Sequence, residues 1–330
     1  MKAALIAALA AALSALALAA YERGQQARVG ETDAHHARVL PQGGSPADGP
    51  AHPNYGAPVV LAHLEDKKIS ESSGLAASRL APGLFWTHND STGGPLIYAF
   101  DRQGKSRGTW RVTGATARDW EDIAAGPGPQ GRPYLYVGDI GDNRGRRDQI
   151  VVHRFPEPAV GEASADAPPA TEAAESVALK YPDGNHDAET LMVHPRTGDI
   201  YIITKTGFAA AGVYKLGAPQ TFSGAHTLRR VGSVAAPGVF GGVFTGGDIS
   251  PDGRRVVICD YTQGYELELP KGSSDSDFDR IWAQPPTPVN LGQRRQGEAI
   301  AYSHDGASIL ATSEKRPTPL IEVTRGARGK

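Results

Sequence analysis

A chain of 330 residues with 40 Gly, 25 Pro and a formal net charge of -2 reads as a turn-rich all-β protein of one or two domains. The near-neutral balance and the lack of a long Lys/Arg run argue against a nucleic-acid footprint. The single cysteine, Cys259, excludes an intrachain disulfide and a thiolate metal cluster, and its setting in Val256-Val257-Ile258-Cys259 is that of a small buried hydrophobe.

Residues 1–20 carry one early positive charge, an apolar Ala/Leu run and a small-residue stretch at 17–20, the layout of a secretory signal cleaved near Ala20. The rival reading is an uncleaved membrane anchor, since the run approaches the ~18 apolar residues needed to span. Export with cleavage predicts a secreted or periplasmic protein with no membrane span, in a compartment where calcium can be plentiful. No cysteine follows the run, so a lipoprotein anchor is not expected. Residues 21–57 are polar, rich in Gly, Pro and His and without periodicity, and read as a flexible tether. Within it, His35, His36 and His52 read as parts of a solvated tail rather than as metal ligands.

The domain at 58–330 is organised by a short phrase that opens a strand and recurs five times. It reads Glu71-Ser72-Ser73-Gly74-Leu75-Ala76, Asp119-Trp120-Glu121-Asp122-Ile123-Ala124, Asp187-Ala188-Glu189-Thr190-Leu191-Met192, Gly246-Gly247-Asp248-Ile249-Ser250 and Gly297-Glu298-Ala299-Ile300-Ala301. The copies stand roughly 50 to 70 residues apart, close to the period of propeller blades. Each of the first four is followed by three more short, turn-bounded β runs, as in Leu84–Thr87, Pro95–Phe100 and Thr109–Val112 of the first unit, and the fifth by two. Four strands per unit make a propeller blade. The fifth unit lacks its outer strand, and Pro58-Val59-Val60-Leu61-Ala62-His63-Leu64 is left over at the start. Pairing the two closes a five-bladed ring and removes two exposed sheet edges. A six-bladed ring would need strands in 159–175 or 270–287, which are respectively a loose Ala/Pro/Glu insertion and a polar stretch with a Pro pair.

First hairpins carry turns such as His194-Pro195-Arg196-Thr197-Gly198-Asp199, Ser250-Pro251-Asp252-Gly253-Arg254 and Ser303-His304-Asp305-Gly306. Through Ser250-Pro251-Asp252-Gly253-Arg254-Arg255-Val256 and Glu71-Ser72-Ser73-Gly74-Leu75-Ala76, residues 58–330 resemble secreted bacterial propellers of the YWTN, NHL and phytase-like group. The resemblance implies the fold. Members of that group include hydrolases, lactonases and binding proteins, so it carries no catalytic residue across.

In an antiparallel hairpin the start of the first strand and the end of the second lie together. One face of the ring therefore collects Glu71, Asp119, Glu121, Asp122, Asp187, Glu189, Asp248 and Glu298, with His88-Asn89-Asp90, Asp139, Lys205, Asp260 and Glu314 beside them. Massed carboxylates raise one another's pKa unless a cation or basic side chains compensate. The oxygen-only donor set suits a hard cation, and Ca²⁺ is the predicted cofactor. Glu121, Glu189 and Glu298 align on successive inner strands. They are the predicted ligands, with Asp248, Asp122 and Asp139 beside them. His88, His186 and Asp187 are the candidates for acid–base chemistry. The alternative for the acids is a structural ring paired with Arg118, Lys205, Arg294, Arg295 and Lys315.

Familiar catalytic signatures are absent: there is no Gly-x-Ser-x-Gly elbow and no His-Glu-x-x-His helix. Gly126-Pro127-Gly128-Pro129-Gln130-Gly131 matches a dinucleotide fingerprint by letter, but it joins two strands rather than opening a helix. Two functions remain open. One is a Ca-dependent hydrolase of phosphoesters, lactones or glycans. The other is a non-enzymatic propeller that binds a protein or saccharide through the same face. A monomer is expected in either case.

Overall fold

Five small sheets surround one axis, and each begins with the strand that carries the repeated phrase. The computed structural model describes residues 54–90, 93–161, 168–218, 221–237 and 241–326. The leader at 1–20 and the tether as far as residue 53 lie outside them. Contacts group Ala47–Lys330 as one unit. Among the described residues no helix is long and apolar enough to cross a membrane.

Blade I is β2 (Ser72–Ala77), β3 (Leu84–Asn89), β4 (Leu96–Asp101) and β5 (Ser106–Arg111); β1 (Val59–His63) belongs elsewhere. Blade II is β6 (Trp120–Pro127), β7 (Pro133–Asp139), β8 (Ile150–Pro156) and β9 (Glu175–Lys180). Blade III is β10 (Ala188–Val193), β11 (Ile200–Thr204), β12 (Ala211–Leu216) and β14 (Arg229–Val234), while the short β13 (Ala225–Thr227) adds in parallel to the edge of β9. Blade IV is β15 (Gly246–Ile249), β16 (Arg255–Cys259), β17 (Gly264–Glu268) and β18 (Thr287–Val289). Blade V is β19 (Gly297–Tyr302), β20 (Ser308–Ser313) and β21 (Pro319–Thr324), completed by β1.

The protein is therefore a five-bladed β-propeller closed by its own N-terminal strand. In that closure Val59 stands opposite Glu322, Val60 opposite Ile321 and Ala62 opposite Leu320. Order reaches back a little further than the sequence suggests. Tyr55 bridges to Arg325 and donates its hydroxyl to Glu266 at 2.6 Å.

Burial explains the sequence pattern. β3, β10, β11, β19 and β20 are buried at every position because each is sandwiched between neighbouring blades, whereas β5 and β14 at the rim are largely exposed. Inner strands consequently read as unbroken apolar runs, and alternation survives only at the outside. Five apolar clusters fill the five blade-to-blade interfaces. Trp120 packs in the first of these with Trp86 and Trp110. Cys259 is fully buried between blades IV and V, and burial pushes its thiol up to about 11, so it remains a protonated hydrophobe.

The segment read as unsuited to a sixth blade, 270–287, contains a 3-10 helix over Asp275–Ala283 whose Phe278, Ile281 and Trp282 plug the interface of blades III and IV. The fingerprint-like glycine run is the β6–β7 hairpin, as expected, with a single 3-10 turn at Pro129–Gly131. The Asp-Gly turns close first hairpins at the end of the ring opposite the phrase. Gly253 and Gly306 sit at φ 62° and 68°, values that L side chains avoid.

Candidate functional site

The phrase opens each inner strand, and the structure gives its aligned position a local property that spacing does not reveal. In four blades the hairpin register slips there: Ser73, Glu121, Glu189 and the pair Glu298-Ala299 fall in the gaps. Only blade IV, with Gly247, runs through without a slip. A bulge breaks the two-residue alternation and re-aims the side chain it carries. Glu121, Glu189 and Glu298 are thereby brought to one mouth of the axial channel although each is only 4–6% exposed.

Crowding and burial govern their protonation. Burial pushes Glu121 well above the usual carboxylate range, and the nearby charges of Glu189, Asp90 and Asp119 push it further. Glu298 is raised well above the range by burial and then by Glu189. For Glu189, burial outweighs the opposing pull of Lys205 and leaves the carboxyl at about 7. Glu314, at the end of β20, is also raised to about 7 by burial and by Asp90 and Glu71. Three carboxylates approach closest: one oxygen each from Asp90, Asp119 and Glu121 lie within 4.8 Å of one another.

The backbone is shaped to this cluster. A Cβ on Gly141 would lie 2.1 Å from Glu121 Oε1 and 2.5 Å from Asp119 Oδ2, so only glycine lets the chain pass this close. On the other side, Lys205 binds Glu189 Oε1 and donates to the Tyr261 hydroxyl at 2.7 Å. Burial works against the Lys205 charge, but Glu189 and Tyr261 outweigh it and hold the amine protonated. The second oxygen of Glu189, Oε2, is buried and has no hydrogen-bond partner. Glu298 Oε1 accepts from Gln296 Nε2 at 2.9 Å.

The remaining sequence candidates have other surroundings. Asp122 points into the ring as a tie between blades. It accepts the N–H of Ile123 at 2.8 Å, that of Leu191 in blade III at 2.9 Å, and that of Gly247 in blade IV. Asp248 does the same one step on, accepting from Ile249 at 2.8 Å and from Tyr302 in blade V at 2.9 Å. Asp139 forms an ion pair with Arg147 Nη1 at 2.7 Å and accepts the N–H of Arg118 at 3.0 Å, which anchors the loop that follows β7.

Asp187 sits beside the mouth, accepts the Asp142 N–H at 2.7 Å, and is raised by burial. His88 is fully buried with its Nδ1 on Asn89 O at 3.0 Å, and burial lowers it to about 4, so it is neutral and has no access to the mouth. His186 is held by Asp183 at 3.0 Å and Tyr214 at 3.1 Å, against the ring of Tyr181.

Of the predicted ligands, Glu121 belongs to the close triad found among the described residues, while Glu189 and Glu298 stand near enough to raise neighbouring carboxyls but outside it. The residues that complete the cluster are Asp90 and Asp119, which flank the strand ends and which the aligned position alone would not select. Their signal in the sequence was the hairpin rule that places strand starts beside second-strand ends.

No family model matches this chain, and no curated protein matches it. Among solved structures it is similar in shape to Kuenenia stuttgartiensis hydrazine synthase, with 11% sequence identity over 78% of this chain and 84% of that chain and a TM-score of 0.41.

Proposed function

We propose that the acidic mouth binds a divalent cation, Ca²⁺ by preference, and that the loaded mouth takes an oxygen-rich substrate for hydrolysis: a phosphoester, lactone or glycan. The observation that carries this is the triad of Asp90, Asp119 and Glu121, with donor oxygens within 4.8 Å. Oxygens on opposite sides of a Ca²⁺ ion at ~2.3–2.6 Å each are separated by about 5 Å, so donors this close can share one ion. Support comes from the unpartnered, buried Glu189 Oε2 beside the triad. A bound cation would act as a Lewis acid and would release the protons that crowding now holds on the ring. Glu314, at about 7, is tuned for proton transfer near neutral pH. An exported monomer would meet calcium readily.

A binding module is the second reading, favoured by the full burial of His88, which keeps that candidate base from the mouth. Calorimetric titration of the calcium-free protein with CaCl₂ tests the ion. We expect one site, accompanied by a rise in melting temperature that follows mass action and lost in Glu121→Gln. Neither heat nor a thermal shift would reject the cation. Turnover of a phosphoester and lactone panel in calcium, abolished by Glu121→Gln, separates enzyme from binder.

A further inference from the structure

The channel has a second end, and it is built differently. Around the turns of the first hairpins lies a half-open cavity of about 240 Å³. Every blade contributes to its wall, through Ala77, Ala125, Pro195, Asp248 and Ser303 in ring order, so the cavity sits on the axis.

One cation crosses it. Arg79 leaves the end of β2 in blade I and reaches Pro195 O in blade III at 3.4 Å, passing over blade II. That long contact is the guanidinium's one hydrogen bond among the described residues, out of five N–H donors. The acids nearby are committed elsewhere. Glu157 accepts from the Ser78 hydroxyl, from Arg79 N and from Trp86 Nε1. Both oxygens of Asp248 take backbone N–H groups. No carboxylate among the described residues lies within ion-pair distance of the Arg79 guanidinium. His304, on the same wall, donates Nδ1–H to Ser78 O at 2.9 Å, which fixes the ring beside the cavity.

We propose that this cavity is an anion-binding site for a small organic carboxylate, received by the Arg79 guanidinium with His304 beside it. A planar guanidinium with free donors matches the fork geometry of a carboxylate, and the cavity wall shields one side of the pair from competing water. The site lies at the opposite end of the inner strands from the acidic mouth, and it does not depend on the cation reading.

The test is calorimetric titration of the full chain with malonate, with inorganic phosphate as the comparison anion. We expect malonate to bind at one site, at least tenfold more weakly in Arg79→Gln and unchanged in Glu121→Gln. Ala77→Leu, which fills the cavity from its wall without touching a charge, should also abolish binding, and it decides the matter if Arg79→Gln does not fold. Absence of malonate binding, or equal binding by wild type and Ala77→Leu, overturns the proposal. Loss in Glu121→Gln would place the anion at the acidic mouth and overturn it as well. Phosphate binding that equals malonate in strength and in its dependence on Arg79 would overturn the carboxylate assignment.

Discussion

The two ends of the ring's axis are made from the same five strands, yet one is a crowd of acids and the other a cavity where Arg79, His304 and Asp248 stand among small residues. At the first end, bulges turn Glu121, Glu189 and Glu298 inward, and loops add Asp90 and Asp119. At the second, small residues such as Ala77 and Ala125 leave room, and Arg79 spans the opening. Asp122 between them, and Asp248 on the wall of the second cavity, spend their oxygens on backbone N–H groups, among them those of neighbouring blades. Two carboxyl populations on one axis therefore have different surroundings: acids crowded on one another at the mouth, and acids tying blade to blade further along. Position along the strand decides which, because the backbone presents free N–H groups only where a bulge or blade junction leaves them unpaired.

Asp122→Ala tests the middle most severely. It strips an acceptor from the N–H groups of Ile123, Leu191 and Gly247, and each buried donor left unsatisfied costs about 1–3 kcal/mol. We expect a loss of several kcal/mol in denaturant unfolding, with calcium affinity kept in the protein that remains folded. A calcium defect without a stability defect would move Asp122 to the mouth and erase the distinction.

Gly141→Ala acts on the mouth alone. The added methyl would overlap Glu121 Oε1 and Asp119 Oδ2, the far ends of two side chains, and so displace two of the three closest donors at little cost in stability. Calcium affinity should fall at least tenfold while malonate binding at the other end is untouched. Calorimetry with both ligands on one preparation reads the two ends separately, and a parallel loss would mean that they are coupled.

The smallest effect is on pH dependence. Glu189 and Glu314 at the mouth and Asp248 further along have folded values of about 7, above their ordinary values of 4.5, 4.5 and 3.8. Burial is the leading cause in all three. The folded protein therefore keeps protons that the unfolded chain releases, and the stability present at low pH is lost as pH rises through about 7. Without calcium the melting temperature should fall between pH 5 and pH 8. Calcium should raise it more at pH 8 than at pH 5, because it replaces protons at the mouth. A calcium effect of equal size at both values would indicate that the ion does not sit among these carboxyls.

Much of the architecture was legible before any coordinates. Blade number, closure by the strand beginning at Val59 and the aligned glutamates follow from strand spacing, turn residues and the apolar runs that double-sided burial demands. These are local or periodic properties, and a linear text records them. The 3-10 helix over Asp275–Ala283 escaped because its three buried side chains, Phe278, Ile281 and Trp282, are scattered through a polar segment and acquire meaning only against blades III and IV.

The site divides in the same way. That acids gather at one end of the ring is a consequence of hairpin geometry, and the sequence determined it. What each acid meets was decided by tertiary structure. Asp139 meets Arg147, Asp122 meets the amide of Leu191, and Glu189 meets Lys205 from the next strand. Asp90, Asp119 and Glu121, from two different blades, come within reach of one ion. A carboxylate's role depends on what lies a few ångströms away in space, and across a propeller those neighbours come from blades dozens to hundreds of residues apart.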